Sequence, residues 1–293
     1  MSCRGQAQQD PQYSQYMFNQ LVLNPAYAGS KDALSATTFI RSQWTNIDGA
    51  PNTQTISIHT PLKKKKIGLG FSVVADQIGP KKSVAALGSY AYNLKLKKGK
   101  LAFGLRVGVY SYTYNWTDIN YKDKRDLYNT QNATTQLAPT ADAGIYYYNN
   151  SMYIGFSATH LYNGRIIPTS NWNGDNAVLS PHYFFTFGKA WAFSDKFIFN
   201  PSFVLKGTKG SPTTFDINMS AMIDQKIWIG FSLRSSYGMS AYTQFKISDK
   251  FKIGYAYDFG FNKIGRVGGA THELMLGYDL NIFNSKIISP RYL

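Results

Sequence analysis

From Lys31 onward apolar and polar residues alternate with a period of two, about fourteen times over, and no long stretch repeats at 3.6 residues. That is the pattern of strands with a single greasy face. In the clearest stretch Leu101, Phe103, Leu105, Val107 and Val109 share one face, while Ala102, Gly104, Arg106, Gly108 and Tyr110 share the other. The same split separates Phe215, Ile217, Met219, Ala221 and Ile223 from Thr214, Asp216, Asn218 and Ser220. Strands are therefore expected over 32–43, 52–60, 66–76, 82–96, 100–113, 139–148, 151–161, 179–193, 196–206, 213–223, 226–236, 239–248, 250–260 and 271–282. The chain is all-β.

The connections sort into two classes. Turns at 97–99, 149–150, 194–195, 224–225 and 248–249 are short and rich in Gly, Asn and Asp, which suit tight hairpins. Those at 44–51, 76–81, 115–138, 162–178, 207–212 and 261–270 are mostly long. Short turns at one end and long loops at the other match an antiparallel transmembrane outer-membrane β-barrel of fourteen strands. An even strand count places both termini at the short-turn, periplasmic end. A soluble sandwich or propeller is the competing fold, in which the greasy face meets a second sheet instead of lipid.

Composition narrows this further. Among 293 residues no apolar run reaches 18, so no transmembrane helix is encoded, but barrel strands need only ~9–11 alternating residues. Aromatic residues make up 16% and charged residues 16%, too many rings for a disordered chain despite a net charge of +15. The lone Cys3 excludes an internal disulfide framework and a cysteine-based zinc site. His59, His160, His182 and His272 fall on separate strands without H-E-x-x-H spacing, and no G-x-S-x-G occurs, so neither a catalytic residue nor a metal or cofactor is expected. Residues 265–269, rich in glycine, fall in a hairpin loop and do not open a helix, so they most simply supply flexibility.

Several features concern the interior, the rims and the N-terminal segment. Ile154-Gly155-Phe156-Ser157, Ile229-Gly230-Phe231-Ser232 and Ile253-Gly254-Tyr255-Ala256 place a glycine on the lumen face, where sheet bending or close approach of another segment needs no side chain. Lumen-side charges of both signs, Arg106, Lys206, Arg234, Lys246 and Lys252 with Asp142, Asp216, Asp258, Glu273 and Asp279, suggest internal pairing or a filled lumen and not an ion-selective ring. Tyr110-x-Tyr112-x-Tyr114, Tyr146-Tyr147-Tyr148 and Tyr255-x-Tyr257 suit interfacial girdles, with ordinary core packing as the alternative. Residues 8–30 carry Tyr13, Tyr16, Phe18 and Tyr27 around an Asn24-Pro25 turn and need a surface to pack on. They are expected to form a plug in or under the lumen. Residues 1–7 read either as the remnant of a signal peptide, ending in Gly5-x-Ala7, or as a frayed terminus; a lipid-anchoring role for Cys3 is a third reading.

Two stretches carry a resemblance. Asp10-Pro11-Gln12-Tyr13-Ser14-Gln15-Tyr16-Met17-Phe18-Asn19 with Leu23-Asn24-Pro25-Ala26-Tyr27-Ala28-Gly29-Ser30, and Arg41-Ser42-Gln43-Trp44-x-x-Ile47-x-Gly49-Ala50-Pro51, resemble the PorP/SprF family of the type IX secretion system. The ending Ser289-Pro290-Arg291-Tyr292 is similar too, although Leu293 stands where the family more often has Phe. The resemblance implies an outer-membrane component of type IX secretion or gliding. Its partners would be a secreted substrate or that substrate's C-terminal domain, other components of the machinery, and outer-membrane lipid.

The expected organisation is a remnant over 1–7, a plug over 8–30, a barrel over 31–283 and a periplasmic tail over 284–293. Arg41, Trp44, Pro51, Trp116, Tyr121, Arg125, Arg165 and Trp172 are the candidates for contacts between the outer loops and a partner, because functional groups concentrate on loops carried by a rigid scaffold. Arg291 and Tyr292 are the candidates on the periplasmic side. The basic turns at 63–66 and 97–100 suit acidic partners or lipid headgroups, and nucleic acid is not expected as a partner. The function read from all this is non-enzymatic anchoring or linkage; the alternative is a small-solute pore or transporter.

Overall fold

A computed structural model describes residues 10–62, 66–118, 133–162, 179–235 and 237–281. It shows one antiparallel sheet closed on itself. The strands are β1 (Leu34–Ser42), β2 (Asn52–Pro61), β3 (Ile67–Ile78), β4 (Lys81–Leu96), β5 (Gly99–Tyr114), β6 (Thr134–Tyr148), β7 (Met152–Thr159) and β8 (His182–Lys189). They continue with β9 (Trp191–Ser194), β10 (Phe197–Thr208), β11 (Thr214–Ile223), β12 (Ile227–Arg234), β13 (Gly238–Lys246), β14 (Phe251–Gly260) and β15 (Thr271–Leu280). Each pairs with its neighbours in sequence, and β1 pairs with β15 from Leu34↔Leu280 to Ser42↔His272, so the wall has no free edge.

Fifteen stretches occupy fourteen places, because β8 and β9 both pair with β10 and form one interrupted strand. The interruption lies beside Asn200 and Pro201. Pro201 has no N–H to give to a ladder, which gives a local reason for the lapse. The number and order of strands agree with the alternation in the sequence.

Several boundaries differ for identifiable reasons. The connection expected as a loop at 76–81 is a tight turn at Gly79-Pro80, with Gly79 at φ 53°. β6 begins at Thr134, five residues before the expected start, and takes Pro139 into the ladder opposite Val109. The glycine-rich stretch after β14 is not merely a flexible loop: Lys263–Val267 forms a short α-helix, α1, whose N-cap Asn262 accepts a hydrogen bond from the Gly265 N–H at 2.7 Å.

The sheet is inside out compared with a soluble domain. Leu105, Val107, Met219, Phe231, Leu233 and Leu276 all point away from the barrel and are exposed, while Ser57, Thr140, Ser157, Asp216, Asn218 and Glu273 are buried inside it. In lipid this arrangement satisfies every requirement: backbone groups pair between strands and the apolar row meets hydrocarbon. Leu105 sits halfway along β5, 62% exposed. Leu105→Arg is expected to cost about 2–4 kcal/mol in a vesicle-based unfolding titration, the range for a cation at mid-membrane. Lys at a strand end should cost much less.

Aromatic clusters divide between the two sides. Tyr112, Tyr146 and Tyr148 are buried in the lumen and do not belong to a girdle, because they fall in phase with the polar positions of their strands. Tyr255 points outward, as do Tyr92, Phe193, Phe197 and Phe251 near the short-turn end. Those outward rings stand where an aromatic belt belongs.

Candidate functional site

Residues 10–33 run through the lumen. Three single turns of 3-10 helix, Tyr16–Phe18, Gln20–Val22 and Pro25–Tyr27, fold the segment into a column. Asn24 caps the third: its Oδ1 accepts from the Ala26 N–H at 2.9 Å, and Pro25 at the first helical position gives up an N–H that would have had no partner. Such a segment has no ladder, so its remaining backbone groups must find partners on the wall. The Ser14 and Gln15 N–H groups donate to the two oxygens of Glu273, each at 2.8 Å. The carbonyls of Tyr13, Leu21 and Leu23 accept from Arg234 (2.9 Å), Arg106 (3.0 Å) and Ser157 (2.7 Å).

The column has a direction. Asp10 and Gln12 lie beside His160 and Arg234, at the ends of β7 and β12 that lead into the long-loop side. Gly29 lies against Gly68, Pro61 and His59 near the short-turn end, from which β1 sets out. The described part of the segment thus descends from the long-loop half to the short-turn half. The segment thus packs inside the lumen, one of the two places expected for it; residues 1–9 lie outside the described residues. Leu280 does end β15 at the short-turn side; residues 284–293 lie outside the described residues.

Glycines make room for the column. At Gly104 a Cβ would collide with the backbone of Pro25 and Ala26, at Gly144 with Asn24 Oδ1, and at Gly68 with the carbonyl of Ala28. Of the three recurrent Ile-Gly motifs, Gly155 and Gly254 face Asn24 and Gln15 of the segment, whereas Gly230 is covered by the ring of Tyr242 from its own wall. Around these sites Leu21, Ala26, Tyr27 and Ala28 pack with Tyr146 and Tyr153, while Tyr13, Tyr16 and Leu23 pack with Phe39, Phe184 and Met275. Phe18 meets Trp228 and Tyr242 edge to face.

The charges inside are paired across neighbouring strands. Arg106 bonds Asp142; Lys206 and Arg234 share Asp216 at 2.6 and 3.3 Å; Lys252 bonds Asp279 at 2.5 Å. Lys246 instead reaches the exposed turn residue Asp249. The largest cluster was not foreseen. Arg41 Nη2 lies 2.7 Å from Asp258, its Nη1 3.1 Å from Glu273 and 2.8 Å from the Ser14 hydroxyl, which itself donates to Asp258. Arg41 is fully buried, so it is not a loop contact for an outside partner. It lies in phase with Ser35, Thr37 and Phe39 on the lumen side of β1, a parity already present in the sequence.

The other candidates are scattered. Trp44 (φ 48°) lies in the 43–51 loop, which joins the 261–270 loop through Asn46 N–H to the Gly268 carbonyl at 2.9 Å and Thr45 N–H to the Ala270 carbonyl at 3.1 Å. The Pro51 carbonyl closes that loop by accepting from Gln43 at 2.9 Å. Trp116 opens a single 3-10 turn and stacks on Tyr114 at 5.6 Å. Tyr121, Arg125, Arg165, Trp172, Arg291 and Tyr292 lie outside the described residues. The structure brings together Tyr13, Tyr16, Phe18, Asn24, Pro25 and Tyr27 in the lumen with Arg41. The described loop candidates Trp44 and Trp116 lie on separate connections, between β1 and β2 and between β5 and β6.

Comparison with known proteins gives a family and a fold. Residues 5–278 match the family described as type IX secretion system membrane protein PorP/SprF. A search of curated proteins finds no match. Among solved structures the chain is similar to a deltaS2S3 mutant of the monoaromatic hydrocarbon channel TodX, at 10% identity and a TM-score of 0.50 over 89% of this chain and 94% of that one. It is also similar to a Pseudomonas aeruginosa FadL homologue, at 11% identity and a TM-score of 0.48 over 92% and 95% of the two chains. At such identities the likeness is one of fold alone.

Proposed function

Because the chain belongs to the PorP/SprF family of type IX secretion membrane proteins, we propose that it is a non-enzymatic, non-conducting outer-membrane anchor. In this reading the long-loop side holds a secreted polypeptide and the short-turn side meets other components of the machinery. The observation that carries it is the column of residues 10–33. A route for small solutes needs an open lumen, and here the interior is taken up by a segment tied to the wall by Arg41, Arg106, Arg234 and Glu273. A rigid closed scaffold is a suitable carrier for binding loops.

Two measurements test the proposal together. The protein reconstituted in planar bilayers should be electrically silent, and mild-detergent purification from its own cells should bring a large secreted protein with it. Steady conductance with solute selectivity and no co-purifying protein would instead make it a pore.

A further inference from the structure

Three potential metal ligands converge where the column enters the described lumen. Asp10, His160 and His182 each offer a ligand atom within 4.8 Å of the others. Asp10 Oδ1 is 2.8 Å from His160 Nε2, and Asp10 Oδ2 is 3.9 Å from His182 Nδ1. Both histidines are at least 95% buried. In a tetrahedral zinc site with bonds of about 2.0–2.1 Å, ligand atoms stand roughly 3.4 Å apart. Binding an ion there requires the Asp10–His160 pair to part slightly and the His182 ring to turn, because the atom it now presents to Asp10 is Nδ1.

The surroundings prepare the imidazoles for this role. His182 Nδ1 lies 2.9 Å from the Ser180 carbonyl, which can only accept, so Nδ1 carries the hydrogen. That leaves Nε2 with a lone pair, and this atom is buried without a hydrogen-bond partner. His160 Nδ1 lies 3.0 Å from the Thr140 hydroxyl, whose own hydrogen is turned to Asp142 at 3.4 Å, so His160 also keeps its lone pair at Nε2. An Nε2 lone pair and a carboxylate oxygen at 2.8 Å need a cation between them, either a proton or a metal ion. The hydroxyl and carbonyl at the two Nδ1 atoms are the outer-shell partners that metal-bound histidines usually have. His160 is also held at φ 56°, in the left-handed region, by its own N–H bonded to Asp142 at 2.8 Å, which fixes the direction of its ring.

We propose that Asp10, His160 and His182 form a binding site for a divalent transition-metal ion, zinc by ligand type, that fastens the lumen segment to the ends of β7 and β8. Two imidazoles and one carboxylate suit zinc and leave a fourth position for water or an incoming ligand. Asp10 also lines a small cavity with Arg106, Tyr110 and Lys206, which neither histidine reaches. The residues come from three distant parts of the chain, so no spacing motif announces them, and the expectation of no metal rested on that spacing.

The test uses the full-length barrel without a histidine tag, stripped with a chelator and titrated with Zn2+ by calorimetry and with Co2+ by visible absorption. One equivalent of Zn2+ should bind per chain, and Co2+ should give the strong visible bands of a low-coordinate site. Asp10→Asn and His182→Ala should each weaken binding by more than the ~10–100-fold that loss of an outer-shell partner costs. His272→Ala, at the far side of the wall, should bind as the parent does. Asp10 lies outside the strands, so its variant tests the site even where His182→Ala fails to fold, and heat-modifiable gel mobility reports folding in each case. Absence of uptake, or equal uptake by the parent and Asp10→Asn, would overturn the site and leave the proton as the only bridge.

Discussion

Arg41→Met is expected to destabilise the barrel by about 3–5 kcal/mol, the range for removing one partner of a buried ion cluster. The guanidinium is fully buried and bonds Asp258, Glu273 and Ser14 together. Without it two carboxylates remain close to each other and out of water, Glu273 still receiving N–H groups from Ser14 and Gln15, but with only the more distant Arg234 to offset their charge. Arg41→Lys should recover only part of the loss, since one ammonium cannot reach two acids and a hydroxyl in the planar fork that arginine presents. A double variant, Arg41→Met with Glu273→Gln, should recover most of it, because Lys206 and Arg234 then face Asp216 and Asp258 in equal number. Urea unfolding in detergent, followed by heat-modifiable gel mobility, measures all three. Equal stability of Arg41→Met and the parent would mean that the column is held without this cluster.

The same residue shows what the sequence made legible and what it did not. Period-two alternation fixes which way each side chain points once the solvent is known to be lipid, and so the strand number, the closure and the lumen placement of Arg106, Asp142, Lys206 and Asp216 follow from local pattern, while their pairing follows from register. Arg41 obeys the same parity, yet it also sits in a motif shared with the start of the 43–51 loop, and that motif pointed outward. Parity was the better guide. Tyr112, Tyr146 and Tyr148 repeat the lesson, because an aromatic residue is equally suited to a belt and to a lumen and only its phase decides. The direction of the column and the meeting of Asp10 with His160 and His182 were not legible at all. They depend on contacts between residues more than 140 positions apart, which neither periodicity nor motif spacing encodes.

Gly104→Val combined with Gly144→Val should unseat the column while leaving the wall intact. These glycines are direct partners in the β5–β6 ladder, and valine suits a strand. A Cβ at Gly104 would meet the backbone of Pro25 and Ala26, and one at Gly144 would meet Asn24 Oδ1 with Pro25 Cδ at 3.2 Å. The backbone facing Gly104 cannot swing aside, and Asn24 at Gly144 is held by its bonds to the Ala26 N–H and the Ile145 carbonyl, so each collision costs about 1–3 kcal/mol. Two collisions together lower the seated population by roughly a thousandfold, at 1.4 kcal/mol per factor of ten. The folded barrel should persist, judged by heat-modifiable mobility. Residues 10–30, which should resist protease in the parent, should be cut, and planar bilayers should register ion conductance where the parent is expected to give none. Gly88→Ala is the control, since the nearest atom to its Cβ is the Val107 carbonyl at 3.9 Å. Conductance in the double variant would show that closure of the barrel resides in the column and not in the strands. Continued silence together with an uncut segment would show that the column yields at Asn24-Pro25 without leaving, and that its hold on the wall lies in the charged contacts above the glycines.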